Sequence, residues 1–238
     1  MSDSEEVGAS EIAFISDIHS NLEALEAVLS EIVDLPKYCL GDLVGYGASP
    51  NEVIDLLRKN DVKPILGNHD HAVIAHDFHD FNSTAAIAIG WTAKHLTKEN
   101  TSYLASLPRE RRITIGTARL YLTHGSPDDT LWEYVDPATH SDLFGYYLDK
   151  LSVSGMGLGH THVPYLWAEG NRLVFNPGSV GQPRSGDNRA SFAVMKVKEG
   201  GKMAVEHKLT KYDIELSARK IEREGLPETL GRRLFVGH

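Results

Sequence analysis

The chain has 238 residues, 41% of them hydrophobic, enough for folding to bury roughly 70% of the surface the unfolded chain exposes. Its formal net charge of -9 argues against broad nucleic-acid binding through a basic surface. No apolar run approaches the 18 or so residues of a spanning helix, and the lone Cys39 rules out an internal disulfide framework, so a cytoplasmic protein without a membrane partner is expected.

Residues 1–11 are polar and acidic, with neither the basic start nor the apolar centre of a signal peptide, and read as a frayed terminus. Ile12-Ala13-Phe14-Ile15 then reads as a short buried strand. Leu22, Leu25, Val28, Leu29 and Ile32 follow at helical spacing, with Asn21 as N-cap. The pattern repeats. Tyr38-Cys39-Leu40 predicts a strand in which Cys39 is an inert packing residue, and Ser49-Pro50-Asn51-Glu52 opens a helix with a capping box and proline at its first position. Pro64-Ile65-Leu66 precedes a polar quartet at 67–70, and helical segments are predicted around 83–96 and 100–106. The first half is therefore α/β with parallel strands.

From Arg112 the texture changes. Ile113 to Ile115, Leu120 to Thr123, Leu173 to Phe175, Ser191 to Val197 and Met203 to Leu209 predict a second, partly antiparallel sheet. One helix interrupts it near 140–150, and a charged helix near 213–224 closes the chain. No linker composition or repeat period interrupts residues 17–162, so one domain spanning 1–238 is expected.

Five polar clusters stand at the carboxyl ends of these apolar runs: Asp17-x-His19, Gly41-Asp42, Gly67-Asn68-His69-Asp70, His124-Gly125 and Gly159-His160-Thr161-His162. In α/β sheets that is where ligands gather. Single clusters carry little weight, because composition alone gives an Asp-x-His about 0.8 times, and a second one occurs at Asp77-Phe78-His79. The strings at 67–70 and 159–162 are each expected on the order of 0.003 times. Coincidence is a poor account of both. His160 and His162 are expected on one side of an extended segment, as chelation requires. The other histidines read as solvated or locally hydrogen-bonded, and Trp91 and Leu96 as core packing. The donors are carboxylate, amide and imidazole, with no thiolate, which suits Mn, Fe, Co, Ni or Zn. Two such cations held by only two carboxylates would leave a positive centre inside an acidic protein, apt for a phosphate ester.

As a set, these clusters resemble the calcineurin-like metallophosphoesterase superfamily, over residues 12 to about 197. The resemblance implies an α/β fold, a four-layer αββα sandwich of two mixed β-sheets flanked by helices, and a site with two divalent metal ions. It implies that Asp17, His19 and His162 hold one metal, that Asn68, His124 and His160 hold the other, and that Asp42 bridges them. It further implies that His69 contacts the phosphate or protonates the leaving group while Asp70 orients its ring.

The run Asn176-Pro177-Gly178-Ser179-Val180-Gly181-Gln182-Pro183-Arg184 looks like the small bacterial and archaeal phosphodiesterase branch. Here the loop is expected to present backbone N–H groups and Arg184 to the edge of the site. Tyr46 stands where the related protein phosphatases carry a phosphate-gripping arginine, which shifts the expectation toward phosphodiesters. The predicted activity is hydrolysis of a small phosphodiester by attack of a hydroxide shared between two metals, manganese foremost. The alternatives are a non-catalytic interaction scaffold resembling the retromer subunit, a phosphomonoesterase or dinucleoside polyphosphate hydrolase, and a nuclease. Substrate choice is assigned to the loops around 71–83 and 126–140.

Overall fold

Residues 4–238 are described by a computed structural model. The chain opens with β1 (Glu5–Glu6), β2 (Glu11–Ile15), α1 (Leu22–Glu31), β3 (Lys37–Cys39), α2 (Pro50–Lys59) and β4 (Lys63–Pro64). It continues through α3 (Asn68–Ala75), α4 (Ser83–His95), α5 (Lys98–Ala105), β5 (Glu110–Ile115), β6 (Ala118–Thr123), α6 (Pro137–Leu151) and β7 (Gly155–Gly157). It ends with β8 (Tyr165–Glu169), β9 (Arg172–Asn176), β10 (Ala190–Val197), β11 (Met203–Thr210), α7 (Ile214–Arg223) and α8 (Glu228–Val236).

Two mixed sheets form, a six-stranded one in the order β1-β5-β6-β7-β9-β8 and a five-stranded one in the order β11-β10-β2-β3-β4. Alternation along the strands builds the layers. Ile12 and Phe14, with Tyr38, Ala193 and Met195, face Leu120, Leu122, Leu173 and Phe175 of the other sheet. Phe14 meets Phe175 edge to face at 4.9 Å between centroids, a geometry that aromatic pairs favour. The intervening Ala13 and Ile15, with Cys39, Phe192 and Val194, face α1, α2 and α3 instead. On the far side, Tyr121, Met156 and Val174 pack against Phe144, Tyr147 and Leu148 of α6. Helices, sheet, sheet and helix thus give the four-layer αββα sandwich.

Several local expectations are corrected. Glu5–Glu6 pairs in parallel with β5, Val7 N–H donates to the Thr114 carbonyl at 2.8 Å, and Glu5 accepts from Tyr38 Oη at 3.0 Å and from Lys63. Paired backbone and a buried tyrosine hydroxyl hold this segment, so it is not frayed from Glu5 onward; residues 1–3 lie outside the described residues. β10 and β11 do not join the second sheet. They extend the five-stranded sheet, β10 antiparallel to β2 and β11 antiparallel to β10, because β10 carries apolar residues on both faces and fits only between two neighbours.

Ser49 is the N-cap of α2 but makes no side-chain cap bond, whereas Asn21 accepts from Ala24 N–H at 3.2 Å as expected. The quartet at 67–70 leads into α3, leaving only 76–82 of the predicted 71–83 loop outside regular structure. α7 does not close the chain, since α8 follows it. Leu230 and Leu234 of α8 join Ile221, Ala85, Ala88 and Tyr46 in a separate apolar cluster beside the site.

Candidate metal centre

All five clusters converge at the carboxyl ends of β2, β3, β4, β6 and β7. Two groups of donors form, Asp17, His19, Asp42 and His162 in one and Asp42, His124 and His160 in the other, each with ligand atoms within 4.8 Å of one another. Asp42 belongs to both. Its Oδ2 lies 3.6 Å from His19 Nε2 and 3.3 Å from His124 Nε2. Asp17 Oδ1 lies 3.4 Å from His162 Nε2, and Asn68 Oδ1 lies 3.0 Å from His124 Nε2.

The backbone is bent to make this possible. Asp17, His19, Asp42, His160 and His162 all have positive φ, between 50° and 68°, a region that side-chain-bearing residues rarely adopt and that concentrates at functional sites. This overturns the extended reading of 159–162. The left-handed turns at His160 and His162 send the two rings to different donor groups instead of stacking them on one face. Glycine is required at the closest approach, since a Cβ on Gly67 would fall 2.1 Å from Asp42 Oδ1.

Backbone carbonyls fix the rings. His19 Nδ1 meets the Val44 carbonyl at 3.1 Å, His124 Nδ1 that of Leu40 at 2.7 Å, and His162 Nδ1 that of Gln182 at 2.6 Å. A carbonyl only accepts, so each Nδ1 carries a proton and each Nε2 is turned toward the centre. His160 is reversed: its Nε2 meets the Trp132 carbonyl at 3.1 Å, which leaves Nδ1 for the centre. Tyr134 stacks on the same ring at 3.9 Å. The carbonyl supports are main-chain atoms and carry no sequence signature.

Electrostatics and orphaned atoms mark where cations fit. Both Asp17 carboxylate oxygens and Asp42 Oδ2 are buried without a hydrogen-bond partner, a costly state unless something positive binds them. Burial, with the charge of Asp42 behind it, pushes Asp17 up to about 7. Burial acts on Asp42 too, but His124, His69 and His19 around it hold it well below the ordinary carboxylate range. Burial lowers His160 to about 3 and takes His19 and His162 well below the ordinary imidazole value. Burial also opposes charge on His124, yet the Asp42 carboxylate outweighs it and raises that ring to about 9. The oxygen and imidazole donors, gathered around unsatisfied carboxylates, fit a pair of divalent cations.

His69 and Asp70 are brought to the site, but not as expected. Asp70 accepts from the backbone N–H groups of Leu43 at 3.2 Å, Val44 at 3.0 Å and Gly67 at 3.0 Å, while His69 Nδ1 has no partner. Asp70 therefore does not orient the ring. It clamps the 41–45 loop onto the start of α3, because its position in the first turn of α3 aims the carboxylate back along the chain. Burial and the Asp42 charge push Asp70 up to about 7, against those three donors. The His69 ring is set by contacts: Gly45, where a Cβ would fall 2.5 Å from Nδ1, and the faces of Tyr46 and Phe81 at 4.5 and 4.8 Å. The His69 backbone N–H donates to Asp42 Oδ1 at 2.9 Å. Burial lowers the ring to about 4.

The 176–184 loop braces ligands more than it offers N–H groups to a substrate. Val180 and Gly181 N–H donate to the carbonyls of Ser16 and Asp17, both at 3.0 Å, and Ser179 Oγ donates to the Asp17 carbonyl at 2.7 Å. Arg184 does reach the edge, donating to Tyr46 Oη at 3.4 Å. A pocket of about 440 Å³ opens over the centre, walled by Phe81, Trp132, Tyr134, His160, Arg184 and Arg233 among others. Phe81, Trp132 and Tyr134 lie in the two loops to which the sequence assigns substrate choice, though no motif singles them out, and Arg233 in α8 was missed.

This fold and this donor set define a metallophosphoesterase. The calcineurin-like phosphoesterase superfamily domain matches residues 11–200, and the chain belongs to that family. It is similar to the uncharacterized protein MJ0912 of Methanocaldococcus jannaschii, 42% identical over 95% of this chain and 98% of that one. It is also similar to the phosphodiesterase YfcE of Escherichia coli K12, 28% identical over 77% and 86% of the respective chains. Among solved structures, a metallophosphoesterase from Sphaerobacter thermophilus is 35% identical with a TM-score of 0.79, covering 97% of this chain and all (100%) of that one. Among the described residues, no helix is long and apolar enough to cross a membrane.

Proposed function

We propose that this chain hydrolyses small phosphodiesters at a pair of divalent cations, manganese foremost, with Asp17, His19 and His162 holding one, Asn68, His124 and His160 the other, and Asp42 shared. The observation that carries the reading is Asp42 Oδ2, buried without a hydrogen-bond partner at 3.6 and 3.3 Å from imidazole nitrogens of the two donor groups. The chemistry that a bound pair supplies is polarisation of a phosphoryl oxygen and activation of water near neutral pH.

The protein's own groups do the rest. The carbonyls of Val44, Leu40, Gln182 and Trp132 hold the ligand rings in one tautomer. His69, outside both donor groups and lining the pocket, meets the leaving oxygen with a ring N–H. Arg184, reaching the pocket from the side of Tyr46, offers a cation to the anionic substrate. A phosphodiester is favoured over a phosphoprotein because Tyr46 packs its ring on His19 at 4.6 Å and on His69 at 4.5 Å, filling the place of a second phosphate-gripping arginine. The name of the YfcE relative supports the same substrate class. The net charge of -9 disfavours nucleic acid, and the lone buried Cys39 accords with a cytoplasmic setting.

The test is hydrolysis of bis(4-nitrophenyl) phosphate by purified protein with added Mn²⁺, before and after chelation. Activity is expected to vanish with the chelator and to return with the metal. Turnover indifferent to chelation would contradict the reading.

A further inference from the structure

Two guanidinium groups share the pocket beside the metal centre. Arg184 comes from the loop after β9, and Arg233 from the last turn of α8. They are held together by construction: Gly186 N–H donates to the Gly237 carbonyl at 3.0 Å, Asn188 Nδ2 donates to the Phe235 carbonyl at 3.1 Å, and Leu230 and Leu234 pack in one cluster with Tyr46. α8 is thus stitched to the Arg184 loop at one end and to the tyrosine beside the metal ligands at the other.

Neither guanidinium makes a salt bridge to a carboxylate side chain among the described residues. Arg184 Nε is buried with no hydrogen-bond partner, and Arg233 Nε donates to a backbone oxygen of His238, the final residue of the sequence, at 2.6 Å. Burial lowers Arg233, and the neighbouring Arg184 charge adds to the effect, so the two cations stand near enough to repel each other. Asp80 lines the same pocket but is exposed and bonds neither arginine. Two neighbouring guanidinium groups with no side-chain carboxylate to neutralise them are a cost in the free protein that an anionic ligand relieves. Arg233 also lies outside residues 11–200, the span of the family domain, so this part of the pocket is supplied by an element the shared domain does not provide.

Resting on the phosphodiesterase reading above, we propose that Arg184 and Arg233 form a subsite for a second anionic group of the substrate, such as a further phosphate. The preferred substrate is then a phosphodiester that carries an additional negative charge beyond the scissile group. Phe81, Trp132 and Tyr134 line the same pocket and offer aromatic faces to an aromatic portion of such a substrate.

Two matched probes test this: thymidine 5′-(4-nitrophenyl phosphate), and the same compound bearing a 3′-phosphate. The ratio of kcat/KM for the two is the readout. The wild-type protein is expected to favour the phosphorylated probe by about tenfold, the size of one charge-assisted hydrogen bond. Arg233→Gln is expected to bring the ratio toward one, and Arg233→Lys to keep part of it. Equal kcat/KM for both probes in the wild-type protein would overturn the subsite while leaving the phosphodiesterase reading intact.

If neither probe is hydrolysed, the phosphodiesterase reading fails, and calorimetry of chelator-treated protein with inorganic pyrophosphate judges the subsite by itself. Binding that is lost in the Arg184→Gln/Arg233→Gln double variant would uphold an anion site. Absence of binding by the wild-type protein, or binding unchanged in the double variant, would overturn it.

Discussion

The floor and the rim of the pocket are built by different means. On the floor, Asp17, His19, Asp42, His124, His160 and His162 are 0–3% exposed, held by main-chain carbonyls, and five of the seven predicted ligands have positive φ. On the rim, Phe81, Trp132, Arg184 and Arg233 are half-buried and Tyr134 is 54% exposed, and they come from loops and from α8. The floor is over-determined by its surroundings and has little freedom to change, whereas the rim is free to vary without disturbing it. In the proposed function the chemistry accordingly falls to the floor, and the choice of substrate to the rim.

His69 stands at the junction of the two and gives the sharpest test. His69→Ala is expected to keep two metals per chain by mass spectrometry yet lose on the order of 10²- to 10⁴-fold in kcat, the usual worth of a proton donor. Loss of metal in that variant would move His69 into the floor and break the division.

Gly181→Ala tests the rigidity of the floor. A Cβ there would fall 1.7 Å from the Ile18 carbonyl oxygen, between the two loops that carry Asp17 and Arg184, so something must shift. A loss of about 2–4 kcal/mol is expected from overpacking and a distorted brace, read as a lower midpoint in urea. Wild-type stability in this variant would mean that the 176–184 loop gives way freely.

The smallest effect is expected on the rim. Trp132→Ala removes a half-buried ring that meets Phe81 edge to face at 5.3 Å. KM for an aromatic diester is expected to rise about fivefold, from loss of roughly 1 kcal/mol of aromatic contact, with metal content unchanged. The side chain is the part removed, since the carbonyl that holds His160 remains. A fall in metal content would show that rim and floor are not separable.

The same division explains what was legible in the sequence. Donor residues repeat at the ends of apolar runs, so β2, β3 and β6 and the residues that the fold gathers into the two donor groups could be read from the sequence. The partners of those ligands could not, because a carbonyl of Val44 or Gln182 looks like any other. Asp70 was assigned to His69 from adjacency alone, whereas the helical start at 67–70 turns its carboxylate toward Leu43, Val44 and Gly67. β7 and β8 escaped notice because Gly155–Gly157 has almost no side chains and Tyr165–Glu169 lies on an edge, mostly exposed. β10 was read as a strand but assigned to the wrong sheet, since its pairing with β2 spans some 180 residues and leaves no local mark. Arg233 was invisible for the same reason: only the folded chain brings α8 beside Tyr46.

The central claim is a pair of cations sharing Asp42. Electron paramagnetic resonance of protein loaded with two equivalents of Mn²⁺ addresses it directly. A spectrum of two exchange-coupled ions, lost in Asp42→Asn, is the predicted result; two isolated ions, or binding of a single one, would contradict it.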